Sequence, residues 1–278
     1  MTLDWSRYWR SAELPLEAMY AHFERHVYHR HSHEGYSFGV TEDGAQSFNC
    51  RGAGYTSATG MVMAFNPDDP HDGHAADKLG FTYRIIHIAP ELISSVLSEL
   101  NGRTVGLPLF TEPVHSDPVL AASLRRLHRG LFRDASALDR DDLLADAVSS
   151  MVRLAAGRPV SLAVSHSAAG PSAAQRAKDA IHDNDANDLT AADLAEAAGC
   201  SRFAMHRAFT KAYGMTPADY QRQLQLRKAR RLIARGDSIA LAAAQAGFAD
   251  QSHLTRWFGR YYGITPGSFR RAAAETAA

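Results

Sequence analysis

An internal repeat near the C-terminal end of the 278-residue chain constrains the fold more than any other feature of the sequence. The first unit runs from Leu189 to Arg222 and reads LTAADLAEAAGCSRFAMHRAFTKAYGMTPADYQR. The second runs from Ser238 to Arg271 and reads SIALAAAQAGFADQSHLTRWFGRYYGITPGSFRR. Two similar segments of this length predict two copies of one supersecondary unit.

The offset between the two units is nearly constant. Gly199 matches Gly247 at a separation of 48 residues, and Met205 matches Leu254 at a separation of 49. The offset of 49 also relates Phe209 to Phe258, Gly214 to Gly263, and Thr216-Pro217 to Thr265-Pro266. The second unit therefore has one additional residue after its first glycine.

Each unit has the helix start and stop signals of a helix-turn-helix, in which a short helix, a tight turn and a second helix follow one another. The turn glycines tolerate the positive φ at which a first helix can stop. Ser201 and Asp250 are placed to cap the second helix of their units. The two Thr-Pro pairs combine a hydroxyl cap with proline at the first helical position, so a further helix is expected after each unit.

The outward positions of the second helices carry side chains that suit base recognition. Arginine binds guanine, glutamine binds adenine, serine and threonine bind several bases, and an exposed phenylalanine can contact a thymine methyl. Ordinary solvated helix faces would be an alternative for either unit alone. Two copies at one offset favour the major groove of DNA.

Between the two units, residues 218–235 read ADYQRQLQLRKARRLIAR, which predicts one basic helix. Leu224, Ala229 and Leu232 are predicted to lie near one face, with arginines over much of the rest. Eighteen residues span about 27 Å at about 1.5 Å per residue, which approaches the roughly 34 Å between successive major-groove faces of a duplex. Its arginines are expected to contact phosphates rather than bases.

Residues from about Ala174 to Arg271 resemble the DNA-binding domain of the AraC/XylS family of bacterial regulators, and the stretch RKARRLIARGDSIALAAAQAGFADQSHLTRWFGRYYGITPGSFR is similar to the signature of that family. The alanine-rich segment LAAAQAG departs from the larger aliphatic residues that the family more often has. The resemblance implies base contacts from Phe203, His206, Arg207, Gln251, Ser252, Thr255 and Arg256. Phosphate contacts are expected from Arg202, Lys211, Arg227, Arg231 and Arg260.

The first half of the chain contains two segments with different residue patterns. From about Tyr28 to Ala89, short aromatic and β-branched runs alternate with Gly, Asp and Pro, as in a small antiparallel barrel. The runs are Tyr36–Val40, Ala45–Cys50, Gly60–Phe65 and Phe81–Ile88. From Pro90 to Ala156 the pattern is helical. The segment Gly157–Ala174 is rich in Ser, Ala, Gly and Pro and predicts a linker.

These patterns predict a multidomain α+β protein. The expected parts are a β-barrel domain with a helical extension at 1–157, a linker at 158–174, and an all-α domain at 175–278 with two helix-turn-helix units joined by a linker helix. Two apolar stripes lie in the helical extension: Val119, Leu120, Leu124, Leu127 and Leu131, and then Leu143, Leu144, Ala147, Val148 and Met151. They could cover the barrel or form a homodimer interface, and the sequence does not separate these alternatives.

Histidines mark the β-rich segment, which contains His31-Ser32-His33 and, later, His71 after Pro67-Asp-Asp-Pro70. This segment is similar to the cupin barrel that many AraC-type regulators use for sensing. The resemblance implies that His31, His33 and His71 could bind a divalent metal, although Ser37 stands where metal-binding cupins have a carboxylate.

Three interpretations of these histidines stay open. They could be polar barrel residues without ligand chemistry, or ligands of a divalent metal. They could also form, with Tyr36, Phe38 and Tyr83, a pocket for a small-molecule effector.

Charge and composition favour a regulator over other classes of protein. The formal net charge is zero, but residues 1–170 carry 15 Lys and Arg against 20 Asp and Glu, and the rest carry 15 against 10. A basic C-terminal half suits a polyanion such as double-stranded DNA. No apolar run predicts a membrane span, so we expect a cytoplasmic protein. The sequence has no Ser-His-Asp, phosphate-loop or CxxC arrangement, so we expect no enzyme activity. RNA polymerase is an expected partner, and a homodimer stays open. The alternative is a cupin-type metal-dependent enzyme with a helical appendage, and it leaves the repeat unexplained.

Overall fold

The structure is a computed structural model, which describes residues 4–133, 136–155, 172–184 and 189–275. Its strands are β1 (Trp5–Arg10), β2 (Leu16–Phe23), β3 (Tyr28–His31), β4 (Tyr36–Cys50), β5 (Ala53–Ala58), β6 (Val62–Phe65), β7 (His71–Ala75), β8 (Phe81–Ile88) and β9 (Val114–His115). Its helices are α1 (Pro90–Asn101), α2 (Pro118–Leu131), α3 (Ala137–Ala155), α4 (Ala173–Asp183), α5 (Ala191–Ala198), α6 (Arg202–Tyr213), α7 (Pro217–Ala234), α8 (Ile239–Gln245), α9 (Gln251–Tyr262) and α10 (Pro266–Glu275).

The chain divides into two compact units. Of the described residues, the first comprises 4–27, 32–133, 136–155 and 271–275, and the second comprises 28–31, 172–184 and 189–270. Most of the predicted linker lies outside the described residues. Its last part is helical, because Ser172 caps α4 by accepting a hydrogen bond from the backbone N–H of Gln175.

Strands and helices of the first unit follow the predicted order with two differences. The main path of the sheet runs β1-β2-β8-β4-β6-β9, and β5 and β7 pair with β4. The runs predicted separately at Tyr36–Val40 and Ala45–Cys50 form the single long strand β4. Two strands before Tyr28, β1 and β2, were not predicted; β2 pairs with β8 along its whole length.

The helical extension packs on one face of this sheet. Buried residues of β2, β4, β6 and β8 share a core with α1, α2 and α3, and this core includes Leu120, Leu124, Leu127, Leu144 and Met151. The apolar stripes therefore cover the sheet. Val119, assigned to the first stripe, is 55% exposed, because Asp117 caps α2 just before it and its position turns away from the sheet.

Alternation along the strands separates two sets of side chains. Tyr36, Phe38 and Val40 of β4 belong to the core under the helices. Ser37, Gly39 and Thr41 alternate with them and point to the opposite face. A bulge between Thr41 and Asp43 interrupts the pairing of β4 with β8.

The second unit consists mainly of α4 to α10. Around α5 and α6, the buried residues Ala177, Ile181, Leu194, Ala198, Met205 and Phe209 form one core. Around α8 and α9, the buried residues include Ala242, Ala243, Leu254, Phe258 and Phe269. Each predicted unit of the repeat thus has its own apolar centre. Among the described helices, none combines the length and apolar character needed to span a bilayer.

Candidate nucleic-acid interface and effector site

The first helix-turn-helix has the predicted local geometry. Thr190 and Asp193 form a reciprocal capping box at the start of α5, and Gly199 ends that helix with φ of 63°. Ser201 then caps α6 by accepting from the backbone N–H of Ala204. Met205 and Phe209 are buried, so one face of α6 is fixed against the unit.

The second helix-turn-helix repeats this arrangement with one more residue in its turn. Gly247 has φ of 84°, and Asp250 caps α9 by accepting from the backbone N–H of His253 at 2.6 Å. Leu254 and Phe258 are buried at the positions equivalent to Met205 and Phe209. The extra turn residue predicted from the two offsets is present.

The free face of α6 is exposed and basic. Phe203 is 70% exposed, and His206 and Arg207 are also exposed. The guanidinium carbon of Arg207 lies 4.8 Å from the ring centroid of Phe203, within cation–π range. A rigid aromatic surface and a forked donor therefore stand together on one side of this helix.

The free face of α9 is polar. Gln251, Ser252 and Arg256 are exposed, and Thr255 is half-buried. The hydroxyl of Thr255 donates to the backbone oxygen of Gln251 at 2.8 Å, which leaves its oxygen lone pairs and its methyl group for an external contact. This face offers amide, hydroxyl and guanidinium groups, the groups used for hydrogen bonds to base edges.

Helix α7 joins the two helix-turn-helix units and contacts α6, α8 and α9. It has 18 residues, as predicted. Its buried stripe is Leu226, Ala229 and Ile233, whereas Leu224 and Leu232 are only half-buried. The buried face of α7 therefore differs from the predicted one. Buried glutamines at 221, 223 and 225 occupy part of the packing surface that apolar periodicity alone assigns to leucines.

The residues expected to contact phosphates are distributed over three helices. Arg202 and Lys211 lie on α6, Arg227 and Arg231 on α7, and Arg260 on α9. All are exposed except Arg227, which is half-buried.

Histidines cluster in the β-rich part of the chain. The ring centroids of His33 and His71 lie 5.2 Å apart in the first compact unit, whereas His31 belongs to the second. Nδ1 of His31 donates to the backbone oxygen of His29, and Nδ1 of His71 donates to that of Asp69, at 2.6 and 2.8 Å. These bonds place the proton on Nδ1 and leave Nε2 as the basic nitrogen, as metal-binding histidines require.

A fourth histidine, His87, belongs to the same region and was not predicted. Its ring centroid lies 4.5 Å from that of His33, whose ring is 5.2 Å from that of His71. Nδ1 of His87 and the hydroxyl of Ser37 form a 2.8 Å hydrogen bond. Because Ser37 and His87 are register partners on β4 and β8, pairing of the strands was the signal that could have found His87.

Two of the other proposed effector residues, Tyr36 and Phe38, lie on the face of the sheet opposite to His87, whereas Tyr83 shares the face of His87. Tyr36 and Phe38 lie in the core under the helices, where the Tyr36 hydroxyl donates to the backbone oxygen of Pro108 at 2.6 Å. Burial raises the pKa of Tyr36 to about 12, so this hydroxyl stays a donor. Tyr83 contacts Phe23 and Phe81 on the opposite face. Strand alternation is the reason that the predicted set divides.

Comparisons with known proteins match both parts of the chain. A family model described as AraC-like ligand binding domain matches residues 13–148, and a helix-turn-helix domain model matches residues 194–272. The chain belongs to the AraC family of transcriptional regulators. It is a DNA-binding transcriptional regulator with an N-terminal ligand-binding domain.

Individual relatives agree with this assignment. The chain is similar to the uncharacterized HTH-type transcriptional regulator YbfI of Bacillus subtilis, with 29% identity over 81% of this chain and 80% of that protein. It is also similar to the transcriptional activator RhaS of Escherichia fergusonii, with 24% identity over 87% of each chain.

A solved structure has the same fold. The crystal structure of ToxT from Vibrio cholerae matches with a TM-score of 0.54 at 12% identity, covering 97% of this chain and 98% of that one. The predicted fold class is therefore confirmed, and the relatives are regulators, which does not support the alternative of a cupin-type enzyme.

Proposed function

We propose that this AraC-type regulator reads two short base sets through α6 and α9. Phe203, His206 and Arg207 contact bases from the first helix, and Gln251, Ser252, Thr255 and Arg256 contact bases from the second. The observation that carries this proposal is the recurrence, at one offset, of a capped helix with a buried face and an exposed face of base-reading side chains.

Phosphate contacts supply the part of the affinity that does not depend on sequence. Arg202, Lys211, Arg227, Arg231 and Arg260 are the candidate residues, since each carries a permanent positive charge on or beside the proposed interface. Such contacts release counterions and make binding strongly dependent on salt.

The test is a selection of bound duplexes from a random pool with the full chain. The expected result is an operator with two conserved blocks. Selection with Arg207→Ala should lose the base preference in one block, and selection with Arg256→Ala should lose it in the other. The reason is that Arg207 lies on α6 and Arg256 lies on α9. A single block, or identical changes from both variants, would contradict the assignment of one base set to each helix.

In the β-rich part we propose binding of a small polar effector beside His33, His71 and His87, which changes DNA affinity or recruitment of RNA polymerase. The support is a group of imidazoles in which His71 donates from Nδ1 to a backbone oxygen and His87 is hydrogen-bonded to the hydroxyl of Ser37. A thermal-shift screen of small polar metabolites is the test, with His33→Ala and His71→Ala as variants and the exposed His74→Ala as control. One ToxT structure is of its form bound to an unsaturated fatty acid, so fatty acids belong in the screen.

A divalent metal is the second candidate for this region, supported by the closeness of the His33 ring to the rings of His71 and His87. Metal analysis after dialysis against Zn²⁺ separates the two candidates. One equivalent of zinc that is lost in His71→Ala supports the metal, and effector-dependent stabilisation without zinc supports the metabolite.

Partners and compartment follow from regulation of transcription. We propose that the protein acts in the cytoplasm with RNA polymerase and that two copies can associate. Val119, an exposed apolar side chain at the beginning of α2, supports an association surface. Sedimentation of the wild type and of a Val119→Ser variant tests the dimer, which only the wild type should form.

A further inference from the structure

The internal repeat extends further upstream than the sequence units suggest. Helix α4 precedes the first helix-turn-helix as α7 precedes the second. Ala177 of α4 and Leu226 of α7 are both buried. Each unit is therefore a group in which a longer helix packs behind the helix-turn-helix.

One residue of α4 reaches the turn of the first unit. Nε of Arg176 donates to the backbone oxygen of Ala198 at 3.2 Å, and Nη2 donates to the same oxygen. Ala198 is the last residue of α5, and the carbonyls of a last turn have no partner within their helix. A guanidinium at this position satisfies the carbonyl and complements the negative end of the helix dipole.

The equivalent residue of α7 reaches the equivalent turn. Gln225 directly precedes the buried Leu226, as Arg176 directly precedes the buried Ala177, and Gln225 is itself buried. Its Nε2 lies 3.1 Å from the point that a Cβ would occupy at Gly247. In the first unit, Nη2 of Arg176 lies 3.7 Å from the corresponding point at Gly199. Two different side chains thus occupy the same place against the two turns.

We propose that Arg176 and Gln225 are positioning residues that set the direction of the reading helices α6 and α9. This inference rests on the proposed function and adds the residues that hold its geometry. Only Gly199, Cys200 and Ser201 separate α5 from α6, so a side chain anchored at Ala198 restrains how α6 leaves the turn. A helix of 12 residues is about 18 Å long, and a tilt of about 10° displaces its far end by roughly 3 Å, the length of a hydrogen bond.

The test compares three substitutions at one position. Arg176→Ala removes the anchor, Arg176→Lys keeps the charge but not the fork, and Arg176→Gln introduces the side chain of the second unit. Affinity is measured for the selected operator and for a random duplex over a range of salt. Melting temperature is recorded for each protein, and hydrogen exchange is recorded at the amide of Cys200, which donates to the backbone oxygen of Ala195.

Positioning predicts that Arg176→Ala loses about tenfold in operator affinity relative to random DNA with no change in salt slope, and that Gln restores more of this ratio than Lys does. Equal losses on both duplexes with a smaller salt slope would show a phosphate contact and overturn the inference. Wild-type behaviour of Arg176→Ala or of Arg176→Lys would also overturn it.

Hydrogen exchange separates this inference from the proposed function, because it needs no DNA. Faster exchange at Cys200 in Arg176→Ala than in Arg176→Gln, at equal melting temperature, supports the anchor even if wild type prefers no operator. Unchanged exchange at Cys200 refutes the anchor even if the operator is found.

Discussion

Arg84 donates a hydrogen bond from Nη1 to Nδ1 of His128 at 3.1 Å, which fixes His128 as the neutral tautomer with its proton on Nε2. That proton is donated to the backbone oxygen of Met19 at 3.1 Å. Arg84 also donates to Glu42, which the bulge in β4 directs toward Arg125 of α2 as well. Sheet and helix are therefore joined by a polar cluster in which His128 is buried and Arg84, Glu42 and Arg125 are half-buried.

Acid should destabilise the protein through His128. Burial, reinforced by the charge of Arg84, lowers the pKa of this imidazole from 6.5 to about 3. The unfolded chain therefore binds a proton below pH 6.5 that the folded state refuses, and this contribution to stability falls progressively from pH 6.5 to about pH 3. His128→Gln should show a flatter dependence of the unfolding free energy on pH than wild type, measured by denaturant titration between pH 7 and pH 4.

The exposed His74 provides the matched control for this experiment. His74→Gln should follow the pH dependence of the wild type. An identical pH dependence for His128→Gln and wild type would mean that other groups dominate acid unfolding.

Phe203 should matter for DNA and not for stability. Since its side chain is 70% exposed, Phe203→Ala should leave the melting temperature unchanged. If the ring contacts a thymine methyl, wild-type affinity should fall when the thymines of the operator are replaced by uracil, and Phe203→Ala should be indifferent to that exchange. Equal sensitivity of both proteins to uracil would exclude the contact, as measured by fluorescence anisotropy.

Arg256→Ala should cost about 1–3 kcal/mol on the operator and relax the preference at one base pair, because an arginine fork reads a single guanine. The measurement is affinity for the operator and for its single-base variants. A uniform loss on operator and random DNA would argue against a base contact.

Arg231→Ala is the counterpart on α7, where an exposed arginine is proposed to bind phosphate. Both duplexes should be weakened similarly, and the slope of log affinity against log salt should become smaller by about one. A loss confined to the operator would assign Arg231 to a base instead.

Gly247→Ala should destabilise the second unit for two separable reasons. Its φ of 84° costs an L-residue about 1–2 kcal/mol, and the new methyl would lie 3.1 Å from Nε2 of Gln225. Gly52 has the same φ with nothing within 4 Å, so Gly52→Ala measures the backbone cost alone. The unfolding free energy should fall more for Gly247→Ala, and equal losses would show that Gln225 yields without cost.

Local signals in the sequence predicted the second unit well. Ser201, Asp250 and Thr216 cap the helices expected of them, because capping depends on residues only three positions apart. The buried face of α7 was predicted less well. Periodicity assigns glutamines to solvent, whereas Gln221, Gln223 and Gln225 are buried.

The first unit was harder to predict because its contacts join distant residues. His87 meets Ser37 only through the pairing of β8 with β4, and Arg84 meets His128 across 44 residues. The segments that form β1 and β2 mix charged, polar and aromatic residues without turn signals of the usual kind, so nothing local marked them as strands. Side-chain contacts between residues so far apart in sequence depend on which strands pair, and neighbouring residues give no signal of them.

A single helix, α7, completes the first unit at its Thr216-Pro217 start and supports the second through Gln225 and Leu226. The length of α7 therefore sets the position of the second helix-turn-helix unit. Inserting one residue into α7 would rotate the second unit by about 100° about the helix axis and shift it by about 1.5 Å along that axis. Under the proposed assignment of bases to α6 and α9, single substitutions could change the base that either helix prefers, but no small change in α7 could adjust the spacing between the two base sets.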